Sequence, residues 1–450
     1  MARKGKGVQN LPVIEPNAAG VDVGATQIFV AVPADRDSEP VRCFDTFTTD
    51  LEALADWLKT CRIRTVVMES TGVYWIPLFE ILERRGMAVR LVNARHVKNV
   101  PGRKSDVADC QWLQYLHSVG LLRGSFRPDQ EICAIRSLWR HRDSLIQMAS
   151  VHLQHMQKAL DQMNLQIHHV ISDIAGTTGL AIIDAILAGN RDPRKLADLR
   201  DWRIRATEQT IMKSLVGDYR DEHLFTLRQS LVAYRHYQRL IAEVDEKVKQ
   251  VLSTLLAKVD PAEKPLPKAR NPRKTPWRNE PIGLREDLYR TFGVDLTQVP
   301  GIDSLTAQRL LTEIGPDLSA FPNVSAFASW LRLCPDQRVS SGQVLSSRTG
   351  PTKNRATVAL RMAAQGLHHS QTFLGEYYRR MRARLGAPKA ITAAAHKLAR
   401  IVYHLLTTRQ PCDESIFIKQ EIRFRKRKEA RLRAQARELG FHLVPAEAVP

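Results

Sequence analysis

The first 125 residues follow a strand and helix order that few folds share. Apolar runs of strand length and amphipathic segments of helix length alternate there, separated by turn residues. Strands are predicted twice within 19–31, at 40–48, at 64–70 and at 87–93, and helices at 51–61, at 73–86 and after Ser105. Ser105 is a favourable N-cap for the last helix. The order is therefore β-β-β-α-β-α-β-α.

This order predicts an α/β domain of the RNase-H-like class, with a mixed sheet flanked by helices. Residues 130–255 change character, since they carry few turn signals and long helical periodicity. The periodicity is strongest over 223–259, which predicts a coiled coil able to dimerise. A stretch rich in Pro, Lys and Arg follows at 260–281, and mostly helical sequence resumes near 290. A basic helix is predicted over 418–440.

Five segments are therefore predicted along the chain. They are an α/β domain at 15–128, a helical or coiled-coil region at 129–259, a basic Pro-rich linker at 260–290, a mostly helical C-terminal domain at 291–410 and a basic tail at 411–450.

The charge indicates a polyanionic partner. Lys and Arg number 67 against 47 Asp and Glu, a net charge of +20. No apolar run has membrane-spanning length and no secretory leader is evident, so no membrane partner is expected. We expect a cytoplasmic protein that reaches the nucleoid. The six cysteines form no CxxC pair, which is typical of reduced thiols.

Four acidic residues occupy informative positions in the α/β domain. Asp22 lies in the first strand, Glu69 ends a buried strand, and Asp106 and Asp109 are three residues apart on one helix. Carboxylates that converge at sheet ends repel each other unless divalent cations bind them, and oxygen ligands suit Mg²⁺ or Mn²⁺. Two such ions can promote phosphoryl transfer.

Each carboxylate taken alone also has an ordinary structural explanation. Asp22 fits a turn, Glu69 fits an ion pair with an arginine, and Asp106 fits the first turn of a helix, where the dipole favours negative charge. Asp109 fits a solvated surface. Their joint occurrence in this strand and helix order favours the metal site.

Three motifs in this domain resemble a known family. GVDVG, MESTGVYW and KSDVAD are similar to the N-terminal domain of the DEDD transposases of insertion sequences, which are bridge-RNA-guided recombinases with a RuvC-like first domain. The resemblance implies that Asp22, Glu69, Asp106 and Asp109 are the catalytic metal ligands. It also places Lys104 beside a phosphate.

Residues 298–315 predict a turn at Pro300-Gly301-Ile302 followed by an amphipathic helix. Such a turn can offer backbone N–H groups to a phosphate, which makes Gly301 a candidate nucleic-acid contact. A plain connection between two helices explains the same residues.

Residues 329–364 resemble the C-terminal catalytic domain of the same family, in which a serine is the nucleophile. Counting from Pro335 favours Ser340, whereas counting back from Gly342 favours Ser341; we prefer Ser340 and keep Ser341 as the alternative. A polar turn explains both serines equally simply. Basic residues follow that are candidate phosphate contacts: Arg348, Lys353, Arg355 and Arg361.

The resemblance further implies a site shared by the carboxylates of one domain and the serine of the other. It implies a homodimer or dimer of dimers on the DNA of element ends and target, and a structured noncoding guide RNA. The predicted function is therefore a transposase that cuts and rejoins DNA. A metal-dependent hydrolytic nuclease or Holliday-junction resolvase would use the same carboxylates, and a non-catalytic nucleic-acid-binding protein would use none of them.

Overall fold

The computed structural model describes residues 11–69, 72–92, 105–270, 272, 279–413 and 415–442. The chain divides into two compact units, with the division between Arg127 and Pro128. Within the described ranges, no helix has both the length and the apolar character needed to cross a membrane.

In its described residues, the first unit contains one five-stranded mixed sheet and three helices. The strands are β1 (Ala18–Val23), β2 (Gln27–Ala31), β3 (Val41–Asp45), β4 (Thr65–Glu69) and β5 (Ala88–Val92), and the helices are α1 (Thr48–Thr60), α2 (Trp75–Arg84) and α3 (Asp106–Ser118). The sheet order is β3-β2-β1-β4-β5. The pairings β1–β2 and β2–β3 are antiparallel, whereas β1–β4 and β4–β5 are parallel. The predicted mixed α/β sheet is confirmed.

The two faces of the central strands are covered by different helices. Val21 of β1 and Met68 of β4 belong to the core beneath α1 and α2. Val67 of β4 instead packs with Leu113 of α3 on the opposite face. Because side chains alternate along a strand, residues one position away from Val21 and Met68 point toward the α3 side of the sheet.

Helix α3 lies in close contact with β1 at Gly20. A Cβ atom on Gly20 would come within 2.2 Å of the Gln114 backbone nitrogen and 2.3 Å of the Cys110 carbonyl oxygen. Only a glycine permits this approach. The helix begins as predicted, since the Ser105 hydroxyl accepts a hydrogen bond from the Ala108 N–H at 3.3 Å.

A buried polar pair also joins α3 to the sheet. His117 is fully buried, and its Nε2 lies 2.8 Å from Thr65 Oγ1 of β4, a hydrogen bond. Burial, followed by the nearby positive charge of Arg90, lowers the pKa of His117 to about 4. The imidazole is therefore neutral at physiological pH.

The second unit is built around two long helices. α4 (Gln130–Gln162) and α8 (Asp221–Thr254) run antiparallel, since the rings of His152 and Tyr237 stack at 5.5 Å while Arg142 pairs with Asp245. Between them the chain forms α5 (Thr177–Leu187), α6 (Pro193–Ala197) and α7 (Glu208–Ser214). The apolar face of α8 is thus covered by a helix of the same chain, and dimerisation through this region stays a prediction.

The rest of the second unit is mostly helical. Its elements are α9 (Leu284–Phe292), α10 (Ser304–Ile314), α11 (Val324–Trp330), a hairpin of β6 (Arg338–Ser340) and β7 (Gln343–Ser346), α12 (Arg355–Gly366), α13 (Phe373–Leu385), α14 (Ala387–Thr408) and α15 (Ser415–Glu438). α14 carries a buried face of small and aliphatic residues, which includes Ala394, Leu398 and Val402. Its close packing against α12 and α13 follows from those small side chains.

The His117 pair makes stability depend on pH. The pKa is lowered in the folded protein, so the unfolded chain takes up the proton first, and stability falls as the pH drops from the ordinary 6.5 toward about 4. The loss should reach about 3 kcal/mol. Urea unfolding of His117→Gln, which cannot titrate, should show a shallower pH dependence than the parent. Identical pH profiles would contradict this assignment.

The contact at Gly20 predicts a second effect. Gly20→Ala should destabilise the first unit by about 1–3 kcal/mol, because the new methyl group must push α3 away from β1. Hydrogen exchange of the α3 amides measures this directly. Gly366→Ala is a matched control, since nothing lies within 4 Å of its added Cβ. Unchanged α3 exchange in Gly20→Ala would show that the sheet tolerates the side chain.

Candidate functional site

Two of the predicted carboxylates lie side by side near the carboxyl ends of two central strands. β1 and β4 are parallel neighbours in which Val21 is paired with Met68, so Asp22 and Glu69 each follow one residue later on adjacent strands. By strand alternation both point toward the face that α3 covers. Both side chains are half-buried.

The first turn of α3 brings the other two carboxylates to the same face. Asp109 directly precedes Cys110, whose carbonyl oxygen lies against Gly20 of β1. Burial, and next the negative charge of Asp22, raise the pKa of the Cys110 thiol to about 12, with a further contribution from Asp109. Asp22 and Asp109 are therefore both close enough to Cys110 to act on it electrostatically.

Asp106 lies one turn earlier and faces the β3 side of the sheet. The pKa of the Cys43 thiol in β3 is raised by burial, then by the charges of Asp45 and Asp106. Asp106 is exposed and Asp109 is half-buried. The two residues share a helix face, as their spacing predicts, but Asp109 acts electrostatically on Cys110 and Asp106 on Cys43.

The donor set suits a hard divalent cation. All four candidate ligands are carboxylates, the oxygen donors that Mg²⁺ and Mn²⁺ favour. Among the described residues, however, no three His, Cys, Asp or Glu side chains lie close enough together to hold a metal ion. The four residues therefore fit the metal in donor chemistry and lie on one face of the sheet, but their side chains are not close enough together to coordinate one ion. Lys104 lies outside the described residues.

The candidate serines lie on an exposed hairpin of the second unit. Ser340 ends β6 and pairs with Gln343 of β7, while Ser341 and Gly342 form the two-residue turn between the strands. Ser341 has φ 49° and Gly342 φ 79°, which is typical of a type I′ turn. Both serines are exposed. Ser340 therefore has ordinary strand backbone, whereas Ser341 has the left-handed backbone that suits Gly or Asn better.

The candidate phosphate contacts follow the hairpin. Arg348, Lys353 and Arg355 are exposed and Arg361 is half-buried. Arg355 opens α12, next to Asn354, whose Oδ1 accepts hydrogen bonds from the Ala356 and Thr357 N–H groups and so caps the helix.

A residue that sequence reasoning missed faces this basic cluster. Asp143 of α4 lies 3.4 Å from Arg355 and 4.0 Å from Arg309 of α10. Nearby, Arg140 of the same helix pairs with the buried Glu313 at 2.9 Å. Sequence contained no signal for the Asp143 contacts, because they join residues more than 150 positions apart.

The turn at Gly301 has a clear packing role. Gly301 has φ +89°, and a Cβ there would come within 2.8 Å of the Ala363 carbonyl oxygen. Asp303 then caps α10 by accepting a hydrogen bond from the Thr306 N–H. These contacts explain the glycine by themselves, and its contact with a phosphate stays a prediction.

Removal of the Asp143 charge should strengthen DNA binding. Asp143→Asn frees Arg355 and Arg309 for phosphate, so affinity for duplex DNA should rise a few-fold and the slope of log affinity against log salt should steepen by about 0.9 for each arginine that gains a phosphate contact. The fold should persist, because a partly exposed ion pair contributes roughly 0–1 kcal/mol. Fluorescence anisotropy across a salt series measures both quantities.

Asp161→Asn is the matched control, since Asp161 lies on the same helix and faces His168 instead of an arginine. Equal gains in both variants would mean that only the net charge matters, which would argue against a specific role for Asp143.

Two transposase family models match this chain. Residues 19–165 match the family model of the IS110 DEDD transposases, and residues 295–379 match that of the transposase IS116/IS110/IS902 family. The first match contains all four candidate carboxylates and the second contains the serine hairpin. No curated protein matches the chain. The chain therefore belongs to the DEDD transposases of insertion sequences, enzymes that act on DNA.

Proposed function

We propose that this transposase cuts and rejoins DNA through a serine nucleophile assisted by carboxylate-bound metal ions. The observation that carries the proposal is the placement of Asp22 and Glu69 on adjacent strands, on the same face of the sheet as α3, whose first turn carries Asp106 and Asp109. The sheet order, with β1 between an antiparallel and a parallel neighbour, supports an RNase-H-like, RuvC-like assignment for the first unit. We retain 15–128 as this domain, with 129–259, 260–290, 291–410 and 411–450 as the following segments.

Asp22, Glu69, Asp106 and Asp109 would hold Mg²⁺ or Mn²⁺. When bound, the ions would stabilise the charge that develops on the transferred phosphate. The protein supplies the carboxylates from two strand ends and a capped helix; since no three of them lie close enough together to hold an ion, the side chains would draw together when the metal binds.

Ser340 is the proposed nucleophile, with Ser341 as the alternative. Its Oγ attacks the phosphorus and loses its proton, and the bond from phosphorus to one deoxyribose oxygen breaks. That oxygen leaves as a hydroxyl group, and a hydroxyl of another strand later attacks the phosphoserine and releases Ser340. Water does not take part, so the phosphodiester bond is exchanged and not hydrolysed. Exposure of the hairpin supports access of a DNA phosphate to Ser340.

The proposed nucleic-acid contacts are basic or backbone groups. They are Lys104, Gly301, Arg348, Lys353, Arg355 and Arg361. Family membership supports DNA of element ends and target as substrate, a structured guide RNA that pairs with both, and assembly as a homodimer or dimer of dimers. Pairing of the guide would then select the sequence, while the protein contacts the backbone.

The serine mechanism predicts a covalent protein–DNA adduct. Full-length protein with Mg²⁺, its flanking noncoding RNA and DNA of the element ends should yield an adduct that survives denaturation. Ser340→Ala should abolish the adduct and Ser341→Ala should retain it. Asp109→Asn should also abolish it while leaving DNA affinity within about twofold, because the change removes one half-buried carboxylate and none of the proposed phosphate contacts.

Other results would change the assignment. Loss of the adduct only in Ser341→Ala would make Ser341 the nucleophile. Cleaved DNA without an adduct, unaffected by either serine change, would favour a hydrolytic nuclease or junction resolvase that uses the same carboxylates.

A further inference from the structure

A tryptophan in the second unit is almost fully exposed to solvent. Trp202 is 88% exposed and lies in the connection between α6 and α7. An indole normally buries a large apolar area, so one held in water indicates a binding surface. Trp202 also lies between the two family-matched regions, 19–165 and 295–379.

The backbone on both sides of Trp202 is held in place. The Asp201 N–H donates to Thr178 Oγ1 at 2.9 Å, and the Ile204 N–H donates to the Asp201 carbonyl at 3.0 Å. Arg203 donates from its backbone and from its guanidinium to the Asp201 carboxylate. The indole is therefore presented by an ordered turn, which lowers the entropy lost when a ligand binds.

The surroundings of Trp202 are basic. Residues 191–205 contain six Arg and Lys against three Asp. Asp201 neutralises Arg203, whereas Arg194, Lys195 and Arg205 are exposed and make no ion pair within the described part of the chain. Exposed cations thus precede and follow Trp202 along the chain, which favours an anionic partner.

A groove opens beside the same turn. It has a volume of about 550 Å³ and is lined by polar groups of the Asp173–Thr178 segment together with Asp201, Arg203 and Arg205. This size falls within the range of small-ligand clefts. The turn that carries the exposed ring therefore also contributes Asp201, Arg203 and Arg205 to the wall of the groove.

We propose that this surface binds a single-stranded nucleic acid, with a base stacked on Trp202 and the backbone phosphates near Arg205 in the neighbouring groove. A stacking platform requires an unpaired base, because the faces of bases in a duplex are already covered. The arginines favour a polyanion over an apolar protein partner. The inference rests on the proposed function in one respect, since it gives the nucleic-acid partners of that enzyme a contact outside the catalytic machinery.

Binding measurements on the full chain test the site. The probes are labelled oligouridylate and oligothymidylate of roughly 12 nucleotides, within common single-strand site sizes, and a duplex of the same length. Trp202→Leu should weaken binding of the single strands about tenfold, whereas Trp202→Phe should stay within about threefold because it still stacks. Duplex affinity should be unchanged. If Trp202→Leu weakens binding of oligouridylate alone, the site binds RNA. If it weakens binding of oligouridylate and oligothymidylate equally, the site binds single strands of either kind.

Charge is tested separately. Arg205→Ala should reduce the salt slope for single strands by about 0.7, one phosphate contact. Glu208→Ala, which removes an acidic side chain from the neighbouring α7, is the matched control and should not reduce the salt slope. The measurements are made in a chelator, so they do not depend on catalysis. If the Trp202 variants change oligonucleotide binding as expected but no serine adduct forms, only the proposed catalytic mechanism is rejected.

Three results would overturn the inference. One is equal binding by Trp202→Leu and the parent. Another is equal loss in the Phe and Leu variants, which would exclude stacking. The third is a change in sedimentation of Trp202→Leu without any change in oligonucleotide binding, which would make the surface a protein interface.

Discussion

The close contact between α3 and β1 is the constraint on which the candidate metal site depends. At Gly20 the helix backbone occupies the space that any side chain would need, so α3 is set at one height above the sheet. The buried hydrogen bond between His117 and Thr65 restrains the far end of the same helix. These two contacts fix the position of α3, so its first turn lies over the face of the sheet to which Asp22 and Glu69 point. Two carboxylates thus come from strand ends and two from a helix, although they are far apart in sequence.

The second unit depends on charges buried along α4. Arg142 is 2% exposed, pairs with Asp245 of α8 and donates to the Asn279 carbonyl at 2.6 Å. Removing one partner from such a pair costs more than the pair contributes, because the other charge stays buried without compensation. On the same helix, Arg140 holds Glu313 of α10. α4 therefore ties the helical hairpin to the C-terminal helices and brings Asp143 beside the basic start of α12.

Much of the local structure could be predicted from the sequence. The strand and helix order of the first unit, the Ser105 cap and the shared face of Asp106 and Asp109 all follow from periodicity and capping preferences, which act over a few residues. The contacts of Asp143 and the role of Gly301 could not be predicted, because both depend on distant backbone that arrives only when helices pack. Gly301 shows this well: its partner, the Ala363 carbonyl, is more than 60 residues away.

The sequence by itself determined the elements of this protein, the carboxylate-bearing motifs and the basic character that suits nucleic acid. Those properties reside in local propensity and in composition. Tertiary structure alone decided that β1 and β4 are adjacent and parallel, which puts Asp22 beside Glu69, and that the two long helices cover each other within one chain. It also decided that Trp202 remains in solvent. These outcomes depend on which surfaces bury each other, and burial is a property of the whole packed chain.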